Sequence, residues 1–420
     1  MIAGQPSQVS THGVYAAPAP ITAQSFGLGL VWLTICSSSV VFAEPAPYDA
    51  LMFGLFALLP LLRLTSLSTG VFWFLVAWLV VAAGGLVASM RSVNLDVSIK
   101  HTLITIYLSL SAVLIAAFVR KDPQRHIRLI MSGLACAAFI AVLAGALGYF
   151  DVLPGTRDLF TKFDRARGLF KDPNVYGPFI VPALIYYLHR TVTSPPLRAI
   201  WNLAFVAFFS LGLLISFSRG AWFNASVALL VYIYVLFIAS QTHRQRMKLI
   251  LIGTFGMCTA ALTLIAAMQI ESIASLIGER ASLSLSYDSG PDGRFAGQLK
   301  AFNLVAANPF GIGALEFGRT YDNEDVHNTF LSMFLNAGWV GGFAYLGLVL
   351  TTLAMGFRQA LRKGPLQGIS IVMLSAFAGL AIEGMVVDTD HWRHFFILMG
   401  AIWGLILANK RNQPQEMRPT

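Results

Sequence analysis

The sequence predicts an all-α polytopic membrane protein with about twelve transmembrane helices. Of its 420 residues, 56% are hydrophobic and only 12% are charged, whereas about a quarter of the residues in a soluble domain are charged. The apolar residues form blocks of roughly 17–25 residues, the length that a helix needs to cross about 30 Å of hydrocarbon. Because unpaired backbone groups are very costly in lipid, these blocks are expected to be helical.

The blocks and the polar segments between them define the predicted organisation of the chain. Residues 1–26 form a polar, disordered tail, 27–268 hold helices 1 to 9, 269–328 form one long loop, 329–409 hold helices 10 to 12, and 410–420 form a second tail. A short amphipathic helix is expected within 295–308 of the long loop. The predicted spans cover 27–43, 48–64, 70–89, 101–119, 128–149, 173–189, 199–217, 220–240, 248–268, 329–357, 366–387 and 393–409.

The distribution of charge between alternate loops predicts the orientation. With the N-terminus inside, the inside loops hold 16 of the 29 Lys and Arg residues and two of the 20 acidic residues. Lys and Arg in short loops favour the cytoplasmic side, so both termini are predicted to be cytoplasmic and the loop 269–328 to lie outside. The net charge of +9 then follows from topology and gives no indication of nucleic-acid binding.

Unusual polar residues gather at the predicted outer ends of the spans. His391 and His394, which lie in the stretch 388–394, could share a metal ion by spacing. No third ligand is near them in the sequence, so no metal site is predicted. The polar stretches are DRARGLFKDPNVYG (164–177), FSRGAW (217–222), the run from GPDGR (290–294) through NPFGIGALEFGR (308–319) to DVHNTFL (325–331), and DTDHWRH (388–394).

Two of these stretches could receive an anion. Asp172 and Pro173 are typical of a helix start, and the free N–H groups of a helix N-terminus attract anions. Contact of the basic residues before this start with lipid headgroups is the alternative. Arg219 lies between two apolar blocks, where an arginine is expensive and usually marks a site or a buried partner. Its planar fork fits phosphate oxygens, and a structural ion pair with Glu383 or Asp388 is the alternative.

His327 is the candidate proton acceptor. An imidazole with an ordinary pKa near 6.5 can take up a proton at neutral pH, although an interfacial histidine bonded to a backbone carbonyl would have the same local sequence. The glycine-rich stretch GIGALEFG (311–318) is not surrounded by the βαβ unit of a dinucleotide-binding loop. It is either a turn that approaches a ligand or a plain loop. The acids that could support the histidine are Glu316, Asp322, Glu324, Asp325 and Asp388.

The ordered set of motifs resembles the family of O-antigen ligases and polymerases, which includes WaaL-type ligases and Wzy-type and exopolysaccharide polymerases. The motifs are RGLFKDPNVYG, FSRGAW, GR before NPFGIG, and HNTFL followed by Gly338, and they cover about residues 160–345. The resemblance implies a GT-C-like glycosyltransferase of the bacterial inner membrane with a periplasmic active face. It further implies a donor glycan on undecaprenyl diphosphate and no cofactor, nucleotide sugar or metal.

The resemblance also implies roles for individual residues. His327, Arg219 and Arg294 match the catalytic histidine and arginines, and the expected substrate-binding residues are Arg167, Asn174, Ser218, Asn328 and Glu316. The acceptor would be the next repeat unit in a polymerase or the lipid A core in a ligase. The motifs DPNVYG and FSRGAW resemble those of exopolysaccharide polymerases more closely and favour a polymerase.

The sequence also suggests further partners and leaves two alternative functions. Membrane lipids and polysaccharide-export proteins are further expected partners. A transporter or flippase for lipid-linked oligosaccharides is the alternative from another functional class, although the chain shows no repeat and its charges gather at one face. A non-catalytic partner in polysaccharide export is a third interpretation.

Overall fold

A computed structural model of the chain describes residues 22–240, 242–243, 245–247, 269 and 293–409. Within this part the chain is almost entirely helical, apart from a short antiparallel ladder between β1 (Thr161–Lys162) and β2 (Arg165–Ala166). The helices are α1 (Ala23–Cys36), α2 (Pro47–Leu61), α3 (Thr69–Ser89), α4 (Leu95–Lys121), α5 (Pro123–Tyr149), α6 (Thr156–Phe160), α7 (Pro173–Thr193), α8 (Pro196–Ile215), α9 (Arg219–Ala239), α10 (Arg294–Ala307), α11 (Thr329–Leu361), α12 (Gln367–Glu383) and α13 (Arg393–Asn409).

Each predicted span except 248–268 overlaps one of these helices, and 248–268 lies outside the described residues. Among the described helices, six are long and apolar enough to cross a membrane, namely α3, α4, α5, α8, α9 and α11. The helices α2, α12 and α13 are apolar but shorter. An all-α membrane protein is therefore confirmed, while the total of about twelve spans and the GT-C-like arrangement stay predictions.

The boundaries differ from the prediction mainly at the ends of helices. α1 begins at Ala23, inside the segment predicted as a tail, because Thr22 caps its first turn by accepting a hydrogen bond from the Ser25 backbone N–H. The short helix expected in 295–308 is α10. The remainder of the N-terminal tail, the segment 270–292 of the long loop and the C-terminal tail lie outside the described residues.

The core is formed where long helices pack closely in pairs. The most extensive contacts join α3 to α11, α4 to α13, α7 to α8, and α9 to α12. Trp78 of α3 is fully buried against Tyr345 of α11 and Phe396 of α13. Gly84 brings α3 directly onto the backbone of α11, since a Cβ there would overlap the carbonyl oxygen of Ala337. Aromatic packing and a close backbone approach thus hold α11 in place.

One end of the bundle collects the polar stretches singled out above, and it is called the loop end here. It comprises residues 90–94, 150–172, 216–218, 308–328 and 384–392. Side chains join these segments across the chain, since Ser218 contacts Asn174 and His327 contacts Asp388. Residues far apart in sequence therefore meet at one end, which is a precondition for a shared site.

α11 is broken near this end at Gly338, where φ is +66° and ψ is −175°. Such backbone angles are accessible to glycine and rarely to other residues. The backbone N–H of Ile312 donates to the carbonyl oxygen of Leu335 at 2.8 Å, and that of Trp339 donates to the carbonyl oxygen of Pro309 at 2.8 Å. The stretch 309–313 thus replaces helical hydrogen bonds lost at the break. The stretch GIGALEFG (311–318) therefore begins packed against the break in α11.

Candidate active site

His327 lies immediately before α11 in an unusual backbone conformation. Its φ is +51°, a left-handed value that is uncommon outside glycine but several-fold enriched for histidine. Its carbonyl oxygen accepts a hydrogen bond from Gln298 Nε2 at 3.3 Å. The next residue, Asn328, is the N-cap of α11 and accepts from the N–H groups of Phe330 and Leu331. Strained residues that are held by their surroundings are concentrated at functional sites, so this conformation marks His327 as a candidate.

The imidazole of His327 lies between two carboxylates. Its Nδ1 is 3.3 Å from Asp388 Oδ2, and its Nε2 is 3.7 Å from Glu324 Oε2. Ser332 Oγ donates a hydrogen bond to Asp388 Oδ1 at 3.1 Å, which orients that carboxylate. A carboxylate on Nδ1 favours the tautomer that leaves the lone pair on Nε2. Of the five acids considered from the sequence, Asp388 is therefore the one placed to orient the histidine.

The same contacts change the proton affinity of the ring. The hydrogen bond to Asp388 raises the pKa of His327 above its ordinary value, while partial burial acts in the opposite direction. The charges of Asp388 and Glu324 raise this pKa further, and the positive charge of Arg294 lowers it. The neutral, proton-accepting form of His327 therefore becomes the main form only above the ordinary pKa of histidine.

Arg294 shares the neighbourhood of His327. It is the first residue of α10, and its Nη1 donates to the carbonyl oxygen of Val386 at 3.2 Å. Its buried Nε has no hydrogen-bond partner among the described residues. Gln298, one turn later, reaches the carbonyl oxygen of Met385 at 3.4 Å. The start of α10 is thus anchored to the segment that ends in Asp388, which brings a guanidinium and the histidine together.

Arg219 begins α9 at the same end of the bundle. Ser218 is the N-cap, and its Oγ accepts from the Ala221 N–H and donates to Asn174 Oδ1 at 2.9 Å. The following residue, Gly220, lies so close to α12 that a Cβ there would be 2.9 Å from Glu383 Oε1. The same Cβ would be 3.2 Å from Val387 Cγ2, so the start of α9 lies against the segment that leads into Asp388.

Asn174 joins the starts of α7 and α9. Asp172 caps α7, as its sequence predicts, by accepting from the Asn174 N–H at 2.8 Å. The Oδ1 of Asn174 accepts from Ser218 and from Arg165 Nη2, the latter at 2.8 Å. Arg165 Nε also donates to the carbonyl oxygen of Ser216 at 2.9 Å. The motifs DPN and FSRG are therefore one structural unit at the loop end.

Arg167, which the resemblance implies as a substrate-binding residue, contacts the end of α6. Its Nη2 lies 3.2 Å from the carbonyl oxygen of Leu159 and 3.4 Å from that of Asp158, at the end of α6. Arg165 is the arginine that contacts Asn174. The sequence contains both arginines within ten residues of Asn174, and their spacing alone does not distinguish them. The structure thus adds Arg165 to the residues that contact Asn174, while substrate binding by Arg167 stays a prediction.

Glu316 is buried beneath the loop and does not face His327. It is 2% exposed, and its carboxylate accepts from Ser92 Oγ at 2.6 Å, from the Asn94 N–H at 3.2 Å, and from Thr320 Oγ1. These bonds hold the loop 308–321 against the turn between α3 and α4. The structure thus places Glu316 as a support for the loop.

A cleft of about 320 Å³ opens beside His327. Its lining includes Arg319, which the sequence did not single out. Neither Arg219 nor Arg294 belongs to the lining. The lining residues are Leu315, Gly318, Arg319, Asn323, Glu324, Asp325 and His327.

His391 pairs with residues other than His394. Its ring stacks on that of His101 with centroids 3.9 Å apart, and its Nε2 is 2.9 Å from Thr105 Oγ1. Asp390 Oδ2 is 3.4 Å from His101 Nε2, so these three residues offer nitrogen and oxygen atoms within 4.8 Å of one another. Thr105 and His101 both lie on α4, so these contacts join the loop 384–392 to that helix.

The comparison with known families identifies the region that contains most of these residues. Residues 204–346 match the family model described as O-antigen ligase. This region runs from α8 into α11 and includes Ser218, Arg219, Arg294, Arg319 and His327. No match was found among curated proteins.

Proposed function

We propose that this chain, which residues 204–346 assign to the O-antigen ligase and polymerase family, transfers a glycan from a lipid diphosphate to a sugar hydroxyl. The observation that carries the proposal is the pairing of His327 Nδ1 with Asp388 at 3.3 Å. This pairing leaves Nε2 as the proton acceptor. Arg294 lies close enough to His327 to lower its pKa. An oriented base can accept the proton of the acceptor hydroxyl, and a guanidinium can stabilise negative charge on the diphosphate.

The proposed reaction is a single displacement at the anomeric carbon. The acceptor hydroxyl loses its proton to His327 Nε2 as its oxygen forms the new glycosidic bond. The bond between the anomeric carbon and the diphosphate oxygen breaks, and its electron pair stays on the diphosphate. Arg294 and Arg219 stabilise the negative charge that grows there, since preorganised cations act most strongly on charge that develops in the transition state. Inversion at the anomeric carbon is expected.

The donor is proposed to be a glycan on undecaprenyl diphosphate. Its lipid would lie among the apolar helices and its diphosphate at the loop end, which we propose faces the periplasm of a bacterial inner membrane. Because the arginines supply positive charge, the reaction is proposed to need neither a metal ion nor a nucleotide sugar.

Reconstitution tests the proposed function. The purified full-length chain in lipid vesicles should form a longer or transferred glycan when it receives a lipid-diphosphate glycan and an acceptor, in EDTA and without nucleotide. The product and the released lipid diphosphate are measured by mass spectrometry. Movement of the intact donor across the vesicle membrane without a new glycosidic bond would contradict the proposal and indicate a flippase.

Ligases and polymerases of this family differ in the acceptor that they use, and we propose that this chain is a polymerase. Deletion of the gene should leave single repeat units on the lipid carrier. Chains of normal length that accumulate on the carrier would instead indicate a ligase that uses a lipid A core.

Substitution Asp388→Asn is expected to slow transfer by roughly 10²-fold, within the range of general-base contributions. The hydrogen bond to Asp388 raises the pKa of His327, so its weakening lowers that pKa and makes the neutral base available at lower pH. The acidic limb of the kcat/KM profile should therefore move to lower pH although the maximum rate falls. Asp96→Asn, which removes an exposed carboxylate that pairs with Lys100, is the control. An acidic limb that stays in place would contradict the assigned pairing.

A further inference from the structure

The cleft beside His327 is built on a firmly anchored loop. Glu316 fixes one side of this loop to Ser92 and Asn94. Phe317 is 3% exposed and packs in an apolar cluster with Ala301 of α10 and Leu335 of α11. A preformed cleft binds a ligand without first having to order its own residues.

Two further contacts keep the far side of the loop in place. Asp322 Oδ2 lies 3.4 Å from Lys300 Nζ of α10. Gly318 packs so tightly on Asp325 that a Cβ there would be 2.7 Å from the Asp325 carboxylate. The loop is therefore attached to α10, to α11 and to the turn before α4.

The side chains in the cleft suit a sugar ring. Glu324 and Asp325 offer carboxylate oxygens that accept hydrogen bonds from hydroxyl groups, while Asn323 and Arg319 offer N–H donors. Leu315 adds one apolar wall for the C–H groups of a ring. The volume of about 320 Å³ lies at the lower end of small-molecule sites, roughly 300–1,000 Å³, and the open cleft is large enough for the end of a glycan.

Arg319 is available for a ligand. Its side chain makes no hydrogen bond or ion pair with the described residues, although Glu324 and Asp325 line the same cleft. By contrast, Arg294 is bound to Val386 and Arg165 to Asn174.

The orientation of His327 links the cleft to the reaction. Nδ1 faces Asp388, and Nε2 faces Glu324, which lines the cleft. A hydroxyl group held in the cleft would therefore meet the nitrogen that accepts its proton. Since Arg219 and Arg294 lie outside the lining, the cleft and the arginines proposed for the diphosphate are separate parts of the site.

We propose that this cleft binds the terminal sugar of the acceptor glycan and that Arg319, Asn323 and Glu324 hydrogen-bond to its hydroxyl groups. The proposal rests on the proposed transfer function and adds to it the place and the chemistry of acceptor recognition. Arg319 is then a residue that determines acceptor affinity, while the diphosphate of the donor binds elsewhere.

Steady-state kinetics of the full-length chain in vesicles test the proposal through the acceptor. Arg319→Gln should raise the acceptor KM by roughly 10- to 100-fold, the effect of losing a hydrogen bond to a charged group. Asn323→Ala should raise it by a smaller factor. The kcat at saturating acceptor and the dissociation constant of undecaprenyl diphosphate should change by less than about twofold. Lys100→Gln, which removes one exposed positive charge, is the matched control. An unchanged acceptor KM in both cleft variants would overturn the proposal.

A binding measurement distinguishes failure of the cleft from failure of the enzyme function. Saturation-transfer NMR with the acceptor glycan alone should show contact with the parent chain and a clear loss of signal in Arg319→Gln. If the parent chain transfers glycan but the NMR signal is the same in Arg319→Gln, the cleft is not the acceptor site and the proposed function stands. If the parent chain never transfers glycan but the signal is lost in Arg319→Gln, the cleft binds glycan and the transfer function is refuted.

Discussion

Substitution His327→Ala is expected to lower kcat for glycan transfer by about 10²- to 10⁴-fold, the usual contribution of a positioned general base. The reason is that no other described group lies on Nε2 except Glu324, at 3.7 Å, so the variant lacks the imidazole that is proposed to accept the proton of the acceptor hydroxyl. Single-turnover assays with saturating donor and acceptor measure the effect. Donor binding should remain close to that of the parent chain.

The control for this substitution is His243→Ala, because His243 is exposed and follows the far end of α9 from the loop end. The comparison is best made at alkaline pH. A histidine whose pKa is raised on folding stabilises the fold below its ordinary pKa, and this stabilisation is lost as pH rises through the raised value. At alkaline pH this stabilisation is absent from the parent chain, so the parent chain and His327→Ala do not differ in stability because of the protonation of His327. Full transfer activity of His327→Ala would exclude the catalytic role.

Substitution Arg294→Ala is expected to lower kcat by about 10²- to 10³-fold, the range seen when one preorganised donor to a developing negative charge is removed. Arg219→Ala should have an effect of similar size. Arg294→Lys should restore only part of the activity, since an ammonium group lacks the planar fork that binds phosphate oxygens in pairs. The kcat and the donor KM are measured separately with a lipid-diphosphate glycan.

The pH profile provides an independent check on the position of Arg294. Its charge lowers the pKa of His327, so Arg294→Ala should move the acidic limb to higher pH, opposite to the shift expected for Asp388→Asn. Arg157→Ala is the matched control, since Arg157 lies at the same end and pairs with Asp164 at 2.8 Å. A rise in donor KM at unchanged kcat and unchanged pH profile would show that Arg294 binds the donor and the transition state equally and does not act on the developing charge.

The membrane fold was largely predictable because its main determinant is local. Each apolar run must satisfy its own backbone hydrogen bonds within lipid, so run length alone located the described long helices. The start of α7 was predicted from equally local causes. Asp172 accepts a hydrogen bond from an N–H group of the first turn, and Pro173 occupies the first helical position, where its missing N–H is not needed. The O-antigen ligase family was also predicted from ordered motifs and is supported by the match over residues 204–346.

Individual pairings within the site were not predictable. The sequence left five acids as partners for His327, and only the packing of α12 beside α11 selects Asp388, 61 positions further along the chain. The same holds for Asn174, which contacts Arg165 and not Arg167 because the chain turns between β2 and α7. Glu316 carries a carboxylate like the other acids, but its burial against Ser92 assigns it to the support of the loop.

The sequence by itself determined the helical membrane class from the length of its apolar runs, and it placed the polar motifs at one end of the helices from the alternation of loops along the chain. His327 and Arg219 were candidates from residue type and position, and the role of Arg294 came from the resemblance to the family. Only the tertiary structure decided which carboxylate lies on each nitrogen of His327, which arginine reaches Asn174, and that Arg319 lines a cleft. Such contacts join residues of different helices and loops, and their distances are set by how whole helices pack.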